Sequence, residues 1–356
     1  MRKSLVISVV VSSLVVVLGG VGASAASASE HPTTAHHSAG HASYLAWTRF
    51  DDFETGTARI VVSDPAGKHV VPISHPPAGV QDIDPRISPD GRRILFERDF
   101  PTRSAAFMIN ADGTGEHEIN LGCTDPCGGT NTPTWTPDGK HLLYDRVTGP
   151  FDENGNAVSA LLWKSTLDGS RQVRFSEPGI DSLYEETNAS FSPHGYVIVT
   201  RVKADGSGVA VFRLDLSGRN ARQLTPWSLR ADLPDISPAT SGPSSDLVVF
   251  ETTERQGADV SQPGAAIATV PATCRSLADC ASKVRFLTAR YSATEHFNPA
   301  WSPDGRRVVY TQFVAGTETS LPTGDIWTAR YDGRHPVAVS TDPRFEFRPD
   351  WGRQRR

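Results

Sequence analysis

The sequence predicts an all-β protein, a six-bladed β-propeller with four antiparallel strands in each blade. Three observations predict it. A short phrase recurs six times at a spacing of about fifty residues, a period that marks stacked β units. Each copy is followed by, or in the last case would be followed by, a β-rich apolar run. The chain opens on such a run without its phrase and closes on a phrase without its run. The clearest copy is Asn298-Pro-Ala-Trp-Ser-Pro-Asp-Gly305. The others are Asp84-Pro-Arg-Ile-Ser-Pro-Asp-Gly91, Thr132-Pro-Thr-Trp-Thr-Pro-Asp-Gly139, Asn188-Ala-Ser-Phe-Ser-Pro-His-Gly195, the decayed Leu233-Pro-Asp-Ile-Ser-Pro238 and the truncated Arg348-Pro-Asp-Trp-Gly352.

The phrase is strand a. It ends in a Pro-Asp-Gly turn, where Pro fixes φ and Gly supplies a positive φ. Strand b follows at Tyr44–Phe50, Arg93–Asp99, His141–Val147, Tyr196–Val202, Leu247–Thr253 and Arg307–Phe313, rich in β-branched and aromatic residues. Strand c is expected at Ala58–Ser63, Ala105–Asn110, Ala160–Ser165, Val209–Leu214, Ala265–Val270 and Asp325–Tyr331. A second turn signal comes next in most units, as in Asp112-Gly113 and Asp168-Gly169. Strand d closes each unit at Lys68–Ile73, Glu116–Leu121, Arg171–Phe175, Ala221–Leu224, Lys283–Leu287 and Pro336–Ser340. Because the chain begins on a b strand and ends on an a strand, the last strand is expected to complete the first blade and close the ring.

Residues 1–25 read as a secretory signal peptide: Arg2 and Lys3, an apolar stretch from Leu5 to Val21, then the small-residue cleavage site Ala23-Ser-Ala25. Export to the periplasm or the extracellular space follows, with no stable membrane insertion after cleavage. Residues 26–43 hold His31, His36, His37 and His41 among small polar residues and form a lead-in that could bury no core. The propeller spans 44–352, and 353–356 is a short basic tail. Removing the leader takes away two positive charges, so the formal net charge moves from −5 to near −7. That balance excludes nucleic acid as a partner, since phosphate backbones need a basic surface.

The cysteines fall in two close pairs, Cys123/Cys127 and Cys274/Cys280. In an oxidising compartment two local disulfides are the simplest reading, each contributing about 2 kcal/mol in the chain-entropy model. A zinc site fits the spacing poorly. The stretch Asp112-Gly-Thr-Gly-Glu-His-Glu118 lacks the alternating ligands of a calcium loop and reads as a hairpin turn. No metal or cofactor is expected.

Chain direction makes the two faces unequal. The a–b and c–d connections are mostly tight turns on one face. The b–c and d–a connections are long on the other, as at 148–159, 254–264 and 314–324 between b and c. Loops vary without disturbing the scaffold, so the long-loop face is the expected binding face. The a strands begin there, around the channel, and the residues near their starts are polar. Asp82, Asp84, Asn131, Glu186, Asn188, Asp232, His296, Asn298, Glu346 and Arg348 are the candidate ring at the channel mouth. Such a ring suits a cationic ligand or a peptide segment.

The phrase x-Pro-x-Trp-Ser-Pro-Asp-Gly, its alternating strand and its Asp-Gly turn resemble the WD-like repeats of the TolB propeller family. The resemblance covers 44–352, with Asn298–Gly305 and Thr132–Gly139 matching almost position for position. It implies a periplasmic six-bladed propeller that binds partner proteins of a cell-envelope complex. About fifteen residues separate the leader from the first strand, so the small α/β domain of TolB itself is not expected. Similar repeats cap prolyl oligopeptidase-type peptidases, but no G-x-S-x-G nucleophile elbow occurs here. No H-E-x-x-H, P-loop or dinucleotide fingerprint occurs either. The expected function is a monomeric, non-catalytic module that binds a protein or peptide on its long-loop face. The alternative is an extracellular polysaccharide lyase or hydrolase working at the mouth around His296, Glu186 and Glu346.

Overall fold

Apolar residues that alternate along short strands can be buried only by stacking sheet on sheet, and six repeats stack into a ring. The computed structural model describes residues 43–52, 55–122, 127–149, 159–254, 264–317 and 320–353. Blade 1 holds β1 (Ser43–Asp52), β2 (Thr57–Ser63) and β3 (Val71–Pro72). Blade 2 holds β4 (Gln81–Ile87), β5 (Arg93–Phe100), β6 (Arg103–Asn110) and β7 (His117–Glu118). Blade 3 holds β8 (Cys127–Trp135), β9 (His141–Thr148), β10 (Ser159–Thr166) and β11 (Gln172–Arg174), and blade 4 holds β12 (Tyr184–Phe191), β13 (Tyr196–Lys203), β14 (Val209–Asp215) and β15 (Arg222–Gln223). Blade 5 follows with β16 (Ala231–Ile236), β17 (Leu247–Thr252), β18 (Ala266–Pro271) and β19 (Arg285–Phe286). Blade 6 is β20 (Thr294–Trp301), β21 (Arg307–Val314), β22 (Thr323–Arg330) and β23 (Val337–Ala338).

The last strand, β24 (Glu346–Arg353), pairs antiparallel with β1, with Tyr44 opposite Gly352 and Arg49 opposite Glu346. The ring therefore closes as the ends of the chain predict. The leader, the lead-in with its four histidines, Cys123, the tail 354–356 and most of the long b–c loops 150–158 and 255–263 lie outside the described residues.

The a–b turns of blades 2, 3 and 6 are built the same way. Ser302 Oγ donates to Asp304 Oδ1 at 2.7 Å, the Arg306 N–H donates to the same carboxylate at 3.0 Å, and the Gly305 N–H donates to the Ser302 carbonyl at 2.8 Å. Thr136 and Asp138 repeat the pattern. The conserved spacing of Ser or Thr, Pro, Asp and Gly within this chain is thus a side-chain-capped turn.

The outer strands are shorter than the sequence predicts, two or three residues each. In blades 1, 3, 4 and 5 the cause is a hydroxyl at the residue that follows the apolar anchor. Ser74 Oγ accepts the Ile60 N–H, Ser176 Oγ that of Leu162, Thr225 Oγ1 that of Val211 and Thr288 Oγ1 that of Ile267, all at 2.9–3.0 Å. The side chain replaces a ladder bond and ends the pairing. Short edges leave few open backbone groups at the rim.

Between blades the packing is apolar. Tyr44, Ala46, Ile60, Val62 and Ile73 of blade 1 form one cluster with Ile87, Ile94, Phe96, Ala105, Phe107 and Ile109 of blade 2. At the rim a second contact repeats, where the glycine of a c–d turn sits on backbone near the outer strand of the preceding blade. A Cβ on Gly67 would overlap the Val339 carbonyl, and one on Gly169 would overlap that of Asn120. Gly218 and Gly333 stand likewise against Phe175 and Leu287. Blade 5 has no such glycine. Its c–d connection carries helix α1 (Leu277–Ser282), capped by Ser276, and the predicted disulfide Cys274–Cys280 with Cα atoms 5.1 Å apart. Both cysteines are buried in a cluster with Leu224 of blade 4, so the clasp fills the place that a turn glycine takes elsewhere.

Gly67→Ala should cost roughly 2–5 kcal/mol, from the left-handed backbone and the overlap together. Gly206→Ala, at φ 68° with no neighbour within 4 Å, should cost only about 1–2 kcal/mol. Urea melts of the two variants make the comparison, and equal losses would remove the rim contact from the account. Deleting Phe347–Arg356 should lower the thermal midpoint sharply, because blade 1 loses its inner strand; a scan against the full chain measures it.

Candidate functional site

Every inner strand breaks its register at the same place. Asp84, Thr132, Asn188, Leu233, Asn298 and Arg348 all have φ between 44° and 54°, and the a–b pairing skips there in each blade. These are β-bulges in which a non-glycine residue is left-handed, at a cost of order 1–3 kcal/mol each. The next residue is proline in five blades: Pro85, Pro133, Pro234, Pro299 and Pro349. A missing N–H loses nothing at a bulge, where the ladder is already interrupted.

The bulge frees a backbone N–H, and the preceding blade supplies groups that hold it. Glu97 accepts the Thr132 N–H at 2.8 Å, and Glu251 accepts that of Asn298 at 2.8 Å. Asp145 accepts the Thr132 hydroxyl and holds the Asn188 N–H. Thr311 Oγ1 accepts the Arg348 N–H at 3.1 Å. Between blades 4 and 5, Thr200 donates to Asp232 at 2.7 Å, and Asp232 accepts the Leu233 N–H at 2.7 Å. The buried Arg348 guanidinium of the closing strand then pairs with Asp84 of blade 2, which joins blades 1 and 2. The result is a polar belt through all six blades.

Charge in this belt is uneven. Burial pushes Glu97, Asp145 and Asp232 above the usual carboxylate range, and the neighbouring Asp99 carboxyl pushes Glu97 further. Burial raises Glu251 to about 8. Burial also lowers Arg348 to about 10. A second tier carries Arg86, Asp235 and Asp350. Asp235 accepts the Trp301 N–H at 2.8 Å and the Ser190 hydroxyl at 2.7 Å, and Asp350 accepts the Ile87 N–H at 2.7 Å. Burial raises Asp350 to about 6, while the charge of Arg86 draws it back. A pocket of about 270 Å³, including space open to solvent, is lined by Asp84, Pro85, Arg86, Leu233, Asn298, Pro299, Arg348 and Pro349 of the inner strands of blades 1, 2, 5 and 6. Among the described residues no group of three His, Cys, Asp or Glu side chains is placed to hold a metal ion.

The ten predicted residues divide into two sets. Asp84, Asn188, Asn298 and Arg348 are the left-handed residues of the belt, and Asp232 and Asn131 stand one position before such residues. Asn131 accepts the Ser104 hydroxyl, and Asn188 Nδ2 donates to Asp232 at 3.1 Å. Asp82, Glu186, His296 and Glu346 lie two positions before the bulge and are buried against their own b strands. Glu186 and Glu346, expected in a polar ring at the channel mouth, are completely buried. Asp82 pairs with Arg98 at 2.6 and 2.8 Å, and Glu186 pairs with Arg201 at 2.8 Å. His296 stands edge-on to Tyr310 and is lowered to about 4 by burial. Glu346, opposite Arg49, is raised to about 7 by burial. His296, Glu186 and Glu346 thus occupy three different blades, each set against its own partners.

The sequence reading missed the belt acceptors, although their signal is regular. The fifth residue of each b strand, counted from Tyr44, Arg93, His141, Tyr196, Leu247 and Arg307, is Thr48, Glu97, Asp145, Thr200, Glu251 and Thr311. A polar residue at one fixed place in an apolar run needs a buried partner; for Glu97, Asp145, Thr200, Glu251 and Thr311 the next blade supplies it, whereas the Thr48 hydroxyl makes no hydrogen bond among the described residues.

No protein-family profile and no curated protein matches the chain. Solved structures do. TolB from Acinetobacter baumannii superposes with a TM-score of 0.63 at 18% identity, over 87% of this chain and 66% of that one. A TolB-type protein from Agrobacterium tumefaciens gives 0.57 at 16% identity, over 88% and 90%. Hydrazine synthase from Kuenenia stuttgartiensis gives 0.63 at 15% identity, over 88% of this chain and 47% of that one. The chain therefore spans just under two thirds of the first of these proteins and about half of the third. At these identities the likeness establishes a TolB-like propeller fold.

Stability should fall between about pH 4 and pH 8. Asp350, Glu346 and Glu251 titrate at about 6, 7 and 8 when folded. In the unfolded chain they release their protons near pH 4. The folded state binds more protons across that window, so stability is complete below it and is lost as pH rises through the folded values. Glu251→Gln keeps an acceptor for Asn298 and should flatten the upper part of the decline. Thermal midpoints at pH 6 and pH 9 test this, and an unchanged slope would show that Glu251 does not carry it.

Proposed function

We propose that this chain is an exported, non-catalytic propeller that binds a protein or peptide on its long-loop face. One observation carries the reading. The acids around the channel are buried and engaged in joining blades, whereas the long-loop face exposes large apolar side chains. Leu183, in the d–a connection before blade 4, is 58% exposed; Tyr291, before blade 6, is 49% exposed; and Leu321, in the b–c connection of blade 6, is 61% exposed. Val314 at the end of β21 adds to them. Exposed aromatic and aliphatic groups next to charged ones, here Arg290 over the Tyr291 ring and Glu254 beside it, make the kind of centre on which protein interfaces depend. The signal-peptide pattern at residues 1–25 supports export, and the TolB-like fold supports an envelope or extracellular setting.

The test is crosslinking in the native host. A photoreactive residue at Tyr291 or Leu321 should yield a discrete adduct, whereas one at Leu216 or Leu277, exposed on the tight-turn face, should yield none. Tyr291→Ala combined with Leu321→Ala should abolish the adduct formed from position 183 and leave the thermal midpoint nearly unchanged, since neither side chain is in the core. Adducts formed only from positions 216 and 277 would place binding on the other face and overturn the reading.

A further inference from the structure

The seam between blades 4 and 5 holds two arginines without a countercharge. Arg213 on β14 and Arg222 on β15 are cross-strand partners, so their side chains share one face of blade 4. Both are half-buried, and both donate to one acceptor, the carbonyl of Ala272; the bond from Arg213 is 3.2 Å long. That carbonyl is firmly held. The Ala272 N–H donates to the Asp246 carbonyl at 2.7 Å, and the Cys274–Cys280 disulfide pins the segment that follows. The Tyr196 ring lies under the Arg213 guanidinium, 3.9 Å from its centre.

The buried guanidinium groups meet carboxylates, Arg98 on Asp82, Arg201 on Glu186 and Arg348 on Asp84. The half-buried Arg93, Arg146 and Arg307 donate to neutral acceptors, as Arg213 and Arg222 do; what sets this pair apart is that two guanidinium groups converge on one carbonyl. Among the described residues no carboxylate forms an ion pair with Arg213 or Arg222. Asp246, the acid nearest along this chain of contacts, takes the Tyr196 hydroxyl, with His194 3.9 Å from its other oxygen. Arg219 in the adjoining turn is occupied by Glu177. Burial lowers the pKa of Arg222, and the like charge of Arg213 lowers it further. Two like charges are thus fixed side by side with most of their donors unspent, since each guanidinium offers five N–H groups.

We propose that Arg213 and Arg222 form an oxyanion site that takes a phosphate or sulfate group. A tetrahedral dianion can accept paired N–H bonds from two guanidinium forks at once and neutralise both charges. The site needs little rearrangement, because strand pairing, the Ala272 carbonyl and the Tyr196 ring already hold the forks in place. It lies on the c–d side of the ring, away from the long loops, and does not depend on the proposed partner surface.

The experiment titrates the full mature protein with inorganic phosphate and, separately, with sodium sulfate, at ionic strength held constant with sodium chloride and with acetate as control. Phosphate should broaden its own 31P resonance in the presence of protein. Phosphate or sulfate should raise the thermal midpoint in a saturable way that acetate does not match. R213Q/R222Q should weaken binding at least tenfold, and R213K/R222K, which keeps the charge and loses the fork, should fall between. R219Q should bind as the parent does. If the parent protein neither broadens the phosphate signal nor gains stability from sulfate beyond the acetate control, the proposal is overturned whether or not the variants fold. A folded R213Q/R222Q protein that binds like the parent would overturn it equally.

Discussion

The structure depends on polar joints between neighbouring inner strands, four of which are the capture of a bulge N–H by the blade before it. A propeller has no shared centre: inner strands surround a channel, and apolar packing runs only between neighbouring sheets. Something must therefore set the angle between blades at the channel side. The left-handed bulge turns an N–H out of its own ladder, and Glu97, Asp145, Glu251 and Thr311 hold it from the adjacent blade. An orphaned N–H beside the channel would cost free energy, so each bulge and its acceptor stabilise one another. The Arg348–Asp84 pair does the same work between blades 1 and 2, where it ties the closing strand to its neighbour.

This belt accounts for the character of the channel. Acids at a propeller mouth invite a ligand-binding interpretation, but here their first role is mechanical. Glu97 and Asp145 are fully buried, and they sit opposite backbone and hydroxyl donors that tolerate a protonated carboxyl. The carboxylates two positions before the bulge serve within a blade instead, clamping arginines that lie over aromatic rings: Arg98 stands 4.3 Å from the centre of Phe107 and Arg201 stands 4.9 Å from that of Phe212. With the polar groups occupied internally, the proposed recognition surface is made of the loops.

The rim is governed by a different constraint, the close approach of one blade's turn to the next blade's backbone. Glycine meets it in blades 1, 3, 4 and 6, because any side chain would collide. Blade 5 meets it with a buried disulfide and a one-and-a-half-turn helix, and Arg213 and Arg222 reach across to that inserted segment. The departure from the repeat and the unpaired arginines therefore occur at the same seam.

The sequence by itself determined the propeller, the number of blades, the strand types and the closing strand, because periodic apolar residues and Pro-Asp-Gly turns are local signals that survive in any tertiary setting. It also marked the Cys274–Cys280 pair, six residues apart. The tertiary structure alone decided the roles of the polar residues. Asp82 and Asp84 are two positions apart, yet one clamps an arginine inside its blade and the other pairs with an arginine of the neighbouring blade. The bulge between strand pairs sets that difference, and no composition or spacing reveals a bulge. Glu97, Asp145 and Glu251 looked like interruptions in apolar strands, because the N–H groups they hold lie about thirty-five to fifty residues further along the chain. A buried carboxylate is explained only by its partner, and the partner is brought near by the stacking of whole blades.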